Sequence, residues 1–125
     1  VIKNADKLPL IELAKYSDNL IKQSLEGKLE AHQMQNATFT VTNLGGLGID
    51  MFTPIINPPQ CAILGIGRIK RKMVWLDNKA DWQDLLPISL TFDHRIVDGA
   101  PAARFLETLC KYIQEPPKHI SEDSI

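Results

Sequence analysis

No apolar run in these 125 residues is long enough to span a bilayer, and Val1 does not open a signal peptide, so neither a membrane span nor secretion is expected. Cysteine is scarce: Cys61 and Cys110 are the only two, each inside an apolar run. Such a pair is expected to be reduced and buried, which fits bacterial cytoplasm or mitochondrial matrix better than a secreted protein. No sign of charge dominates. Fourteen Lys and Arg face fifteen Asp and Glu, for a formal charge of −1, which offers no electrostatic case for nucleic acid or an anionic membrane as partner. Internal repeats and low-complexity segments are missing too. The chain does not begin with Met, and is expected to be a processed or truncated piece.

What is present is ordinary for a globular protein: 44% hydrophobic and 23% charged residues, in a length that suits one compact domain with a real core. After Asp6, Pro9 suits the first turn of a helix. Leu10, Leu13, Ala14, Leu20, Ile21 and Leu25 recur at helical spacing, Lys15, Asp18, Lys22 and Glu26 make the wet side, and Gly27 is the stop. Residues 29–35 suit one more short helical turn. From Thr38 to Thr42 the β-branched and aromatic content predicts a strand, followed by a glycine loop from Asn43 to Gly48. Pro58-Pro59 precedes an apolar run, Cys61 to Gly67, of buried-strand type. Lys72–Leu76 predicts another strand, Asp77-Asn78 a turn, and Leu85–Phe92 the last strand. A second helix is expected from about Gly99 to Glu115, with Ala102, Ala103, Phe105, Leu106, Leu109, Cys110 and Ile113 as its apolar face. Pro116-Pro117 ends it, and residues 117–125 form a polar tail. The order predicts an α+β domain, helices packed on a mixed or mostly antiparallel sheet.

The segment that asks for a chemical explanation is Asp93-His94-Arg95-Ile96-Val97-Asp98-Gly99, where a buried strand gives way to a helix. On spacing alone two readings stand level. In one, Asp98 caps the helix, Arg95 pairs with Asp93 or Asp98, and His94 is structural. In the other, these groups line a cleft. A metal site from Asp93, His94 and Asp98 is disfavoured, because no second His or Cys lies near them in sequence.

DHRIVDG, preceded by PISLTF and followed by APAARF, resembles the signature of the acyltransferase components of 2-oxo acid dehydrogenase complexes. Chloramphenicol acetyltransferase is a more distant relative with a similar His-x-x-x-Asp-Gly motif. The segment FTVTNLGGLGIDMFTPIINPPQCAILGIG, residues 39–67, resembles the same family's central segment, and the first 29 residues resemble the helix before it. The resemblance runs from Val1 to about Pro116 and implies the C-terminal part of a chloramphenicol acetyltransferase-like domain. Roughly the first half of that domain is missing, along with lipoyl and subunit-binding domains, so this piece by itself is expected to lack full activity.

The resemblance implies transfer of an acyl group between dihydrolipoyllysine, whose lipoyl group sits on a separate domain, and coenzyme A as substrate. By the family motif His94 is the general base and Asp98 an ion-paired residue that braces the catalytic loop. Thr42, aligned with a serine of the family, supplies the hydroxyl for the oxyanion. Thr keeps that hydroxyl but adds a methyl and restricts χ1. Arg95 takes a bracing part with no partner assignable from sequence, and no residue is singled out for cofactor binding. The Ala100-Pro101-Ala102-Ala103 run resembles acetyl-transferring members. The implied partners are further copies of the chain, as a homotrimer that builds a larger core, and the 2-oxo acid dehydrogenase and dihydrolipoamide dehydrogenase components. Two competing readings remain. One is a non-catalytic structural component of such a complex, which would be expected to lose the histidine; the other is an antibiotic acetyltransferase, which the central segment disfavours.

Overall fold

The computed structural model describes residues 1–116; the polar tail anticipated from 117 to 125 lies outside them. The chain forms two compact units. One comprises Val1–Ala37 with the described residues from Arg104 onward, and the other Thr38–Ala103.

In the first unit, helix α1 spans Leu10–Leu25 with Pro9 at its N-cap, one residue outside the position expected for it. Gly27 stops the helix as anticipated. Its φ of 66° lets the Lys28 N–H donate to Gln23 C=O (2.8 Å) and its own N–H to Ser24 C=O (3.1 Å), a Schellman closure that satisfies the last carbonyls. The expected short turn is a 3₁₀ segment, Ala31–Met34, closed by a capping box between Glu30 and Gln33. Leu10, Ile11, Ile21 and Leu25 are exposed, Leu25 to 84%.

In the second unit, strands β1 (Thr40–Asn43), β2 (Ala62–Ile66) and β5 (Ile88–Phe92) make a mixed sheet. β2 is central, parallel to β1 and antiparallel to β5. A central strand is covered on both sides, and among the described residues the buried apolar side chains are Ala62, Ile63, Leu64 and Ala102, with Pro54 of the preceding loop beside them in the buried set. The real core expected from chain length is therefore reduced to one strand, one helix start and a loop proline. Cys61 and Cys110 are free, but half-buried rather than buried.

A separate hairpin pairs β3 (Lys70–Leu76) with β4 (Lys79–Leu85) through the anticipated Asp77-Asn78 turn. Both turn residues have positive φ, 47° and 61°, as a two-residue hairpin turn requires. β4 is a correction. The expected strand Leu85–Phe92 is broken at Leu86-Pro87, so that Leu85 ends β4 and only Ile88–Phe92 forms β5, and the polar segment Lys79–Asp84 is extended because it pairs with β3 residue by residue. Helix α2 spans Gly99–Gln114. Among the described residues, no helix is long and apolar enough to cross a membrane.

The glycines of the central loop work by close approach. A Cβ on Gly67 would lie 1.9 Å from the Asp50 carbonyl oxygen, and one on Gly45 would lie 2.4 Å from that of Gly67. The Gly67 N–H donates to Pro87 C=O (2.9 Å), which ties the end of β2 to the approach to β5, and the Arg68 N–H donates to Ile49 C=O (2.8 Å), which seats the 45–54 loop against the end of β2.

Candidate active site

His94 stands just past the end of β5. The Asp93 N–H donates to Cys61 C=O (2.8 Å), which extends the β2–β5 ladder by one rung. The Asp93 carbonyl then accepts from Ile96 N–H and Val97 N–H (both 3.0 Å), turning the chain sharply before α2 begins. His94 is exposed on that turn, with its ring against the Phe92 ring (centroids 5.7 Å apart, tilted by 37°).

Arg95 folds back on Asp93. Its Nε donates to Oδ1 (2.9 Å) and Oδ2 (3.1 Å), its Nη2 to Oδ2 (2.6 Å), and its backbone N–H to Oδ1 (3.0 Å). The guanidinium first, then the backbone N–H, hold the Asp93 carboxyl down at about 2, against an ordinary 3.8. A carboxyl depressed in the folded state contributes stability that is present above its unfolded value and lost as pH falls through the folded one. The Asp93 contribution should therefore persist down to about pH 4 and vanish toward pH 2. A carbon-detected NMR titration of the Asp93 side chain should give a midpoint near that lower value; an ordinary midpoint would mean the pair is open in solution.

Asp98 does not pair with Arg95. Its carbonyl accepts the Ala102 N–H (3.2 Å), which makes it a helix-start residue, but among the described residues its carboxylate has no ion pair. Of the two partners the sequence left open for Arg95, it pairs with Asp93. Among the described residues, His94 and Asp98 side chains and the Thr42 hydroxyl make no hydrogen bond. No group of three or more His, Cys, Asp or Glu that could hold a metal ion occurs among the described residues.

Thr42 is half-buried in β1, opposite Gly65 of β2, which in turn faces Ser89 of β5. The Ser89 hydroxyl donates to Phe52 C=O (2.7 Å), and a Cβ on Gly65 would meet Ser89 Oγ at 2.7 Å, Phe52 Cζ at 3.1 Å and Pro54 Cδ at 3.2 Å. Thr42 thus shares a row with Ser89 beneath the Phe52–Pro54 segment. The register also separates Thr42 from His94. Asp93 lies about 14 Å along β5 from Ser89 at ~3.4 Å per residue, and β1 is about 10 Å across the sheet from β5. The two segments are therefore on the order of 17 Å apart within one chain.

One charged cluster was not anticipated. Asp50 accepts from Arg68 Nε (3.0 Å) and Nη2 (2.7 Å) and pairs with Lys70. The Lys70 ammonium, then the Arg68 guanidinium, lower its carboxyl from the ordinary value. These residues come together only because the 45–54 loop folds onto the start of β3, so no local spacing announces them.

Residues 1–120 match the family of 2-oxoacid dehydrogenases acyltransferase (catalytic domain), and the chain belongs to that family. Among its relatives, the dihydrolipoyllysine-residue acetyltransferase component of the acetoin cleaving system of Bacillus subtilis is 47% identical over 116 residues, 93% of this chain and 29% of that protein. The solved dihydrolipoamide acetyltransferase of Azotobacter vinelandii superposes with a TM-score of 0.84 at 42% identity, over 91% of this chain and 47% of that one. In that enzyme a serine, a histidine and an asparagine four positions after the histidine have been investigated for their role in the catalytic mechanism. The cubic core of a pyruvate dehydrogenase multienzyme complex superposes equally well, TM-score 0.84 at 41% identity, over 91% of this chain and 47% of that one. The chain spans under a third of the curated relative's length and about half of each solved chain. The expected fold, a partial α+β domain of this family with helices and a mixed sheet, is borne out.

Proposed function

We propose that the protein carrying this chain transfers an acetyl group between dihydrolipoyllysine and coenzyme A, with His94 as the general base. The observation that carries the reading is an exposed imidazole with no hydrogen bond among the described residues, on a backbone turn held from both sides, in a chain of this family.

The chemistry follows from the groups. A thiol of pKa ~8.5 is mostly protonated at neutral pH, while an ordinary imidazole of ~6.5 is available as base. Their mismatch opposes complete proton transfer in water by roughly 2.7 kcal/mol. Removing the proton as sulfur attacks avoids part of that cost. His94 takes the coenzyme A thiol proton as the sulfur bonds to the thioester carbonyl carbon. The carbonyl oxygen becomes an oxyanion, which the Thr42 hydroxyl stabilises. The carbon–sulfur bond to dihydrolipoyl then breaks, and the leaving sulfur receives the proton from the imidazolium. Asp98 stands four positions after His94, where the Azotobacter enzyme has asparagine, and here it starts α2.

The separation of Thr42 from His94 supports a site shared between copies of the chain, as in a trimer that builds a core. Met51 and Ile55, 71% and 88% exposed, offer apolar surface for such contacts, while Phe52 and Pro54 pack inward over Gly65. Acetyl transfer should be saturable both in coenzyme A and in S-acetyl-dihydrolipoamide, the thioester donor, when these are given to the whole protein. A folded, assembled protein that forms no acetyl-coenzyme A would overturn the reading in favour of a purely structural component.

A further inference from the structure

We infer that Asp93 and Arg95 are positioning residues that fix the direction in which His94 presents its imidazole; this rests on the acyl-transfer reading above. Three features lead to it. The Asp93 main chain is committed on both sides, its N–H to Cys61 and its C=O to Ile96 and Val97, so His94 hangs from a fixed point. The Asp93 carboxylate then ties down the residue on the other side of His94 through the Arg95 backbone N–H (3.0 Å) and a two-pronged grip on its guanidinium. Finally, the Arg95 side chain is 89% exposed although Asp93 is only 18% exposed, so the guanidinium end of the pair is screened by water and adds modestly to folding. A contact weak in stability but rich in geometry is suited to orientation. It spans one residue, and that residue is His94. The Phe92 ring limits the imidazole on the strand side, so the clamp is what restrains the turn side.

An imidazole that must reach a thiol proton at hydrogen-bond distance is sensitive to small displacements, and an error near 1 Å can cost about a hundredfold in rate. Arg95→Met in the whole, assembled protein should lower kcat by about tenfold or more, with KM within about twofold and the thermal midpoint unchanged. Asp93→Ala should lose at least as much. Asp93→Asn keeps an oxygen to accept the Arg95 N–H and should recover part of the loss in kcat, with KM little changed in both variants, a split that simple destabilisation would not produce. If Asp93→Ala fails to fold, Arg95→Met decides alone, because its exposed side chain is not needed for folding. Normal kcat in Arg95→Met, or a loss confined to KM, overturns the clamp. His94→Ala run alongside separates the two failures. If it is inactive while Arg95→Met is normal, only the clamp falls; if it is fully active, His94 leaves the mechanism and the clamp falls with it, while a wild type that forms no acetyl-coenzyme A overturns the acyl-transfer reading itself.

Discussion

Replacing His94 with alanine in the whole protein should lower kcat for acetyl transfer by roughly 10²- to 10⁴-fold, the usual contribution of a positioned general base. The size follows from what is lost. Without an imidazole, the coenzyme A thiol must give its proton to water or react as the small thiolate fraction present at neutral pH. The structure makes the result interpretable, because His94 is exposed, rests its ring near that of Phe92 and makes no side-chain hydrogen bond among the described residues. The turn itself is made by Asp93 main-chain and side-chain bonds that alanine at position 94 leaves in place. Circular dichroism and the assembly state should therefore match the wild type. Turnover within a few fold of wild type, in a protein so folded, would remove His94 from the mechanism.

Local signals were read well because local forces decide them. Gly27 ends α1 by a positive φ that other residues adopt with strain, and Asp77-Asn78 turn the hairpin for a related reason. The buried run Ala62–Ile66 declared itself by having no polar alternation, as a strand covered on both faces must. β4 escaped because Lys79–Leu85 is largely polar, and only pairing with β3 makes it a strand. The small core escaped for another reason. Apolar periodicity marks which face of α1 would be buried, whereas burial depends on what lies opposite, and Leu25 and Ile21 remain exposed. At the site, the DHRIVDG motif located His94, but the partner of Arg95 was open between two aspartates. Main-chain curvature decides that choice: the turn after β5 brings Asp93 beneath the guanidinium, while Asp98 stands just before α2, its carbonyl taking the Ala102 N–H.

Thr42→Val keeps the shape of the side chain and deletes the hydroxyl, and should reduce kcat by about 10²- to 10³-fold with KM little changed, the pattern of a donor used chiefly in the transition state. Thr42→Ser should stay near wild type. The more revealing measurement combines two defective chains. Register puts Thr42 opposite Ser89, and His94 beyond the last rung at Asp93, so one chain holds them on the order of 17 Å apart. A hydroxyl and an imidazole acting on one thioester must each approach within hydrogen-bond distance, which that spacing forbids inside a single copy. If the site lies between copies, a His94→Ala chain supplies an intact Thr42, and a Thr42→Val chain an intact His94. Random mixing before assembly should then restore about a quarter of the sites to wild-type composition. Light scattering should show the same assembly for the mixture and for each variant alone. Activity that rises toward that fraction only after co-assembly, and not when separately assembled variants are combined, supports the shared site. No recovery after verified co-assembly would place the reacting groups within one subunit, and Thr42, too distant from His94, would then be excluded as the oxyanion donor.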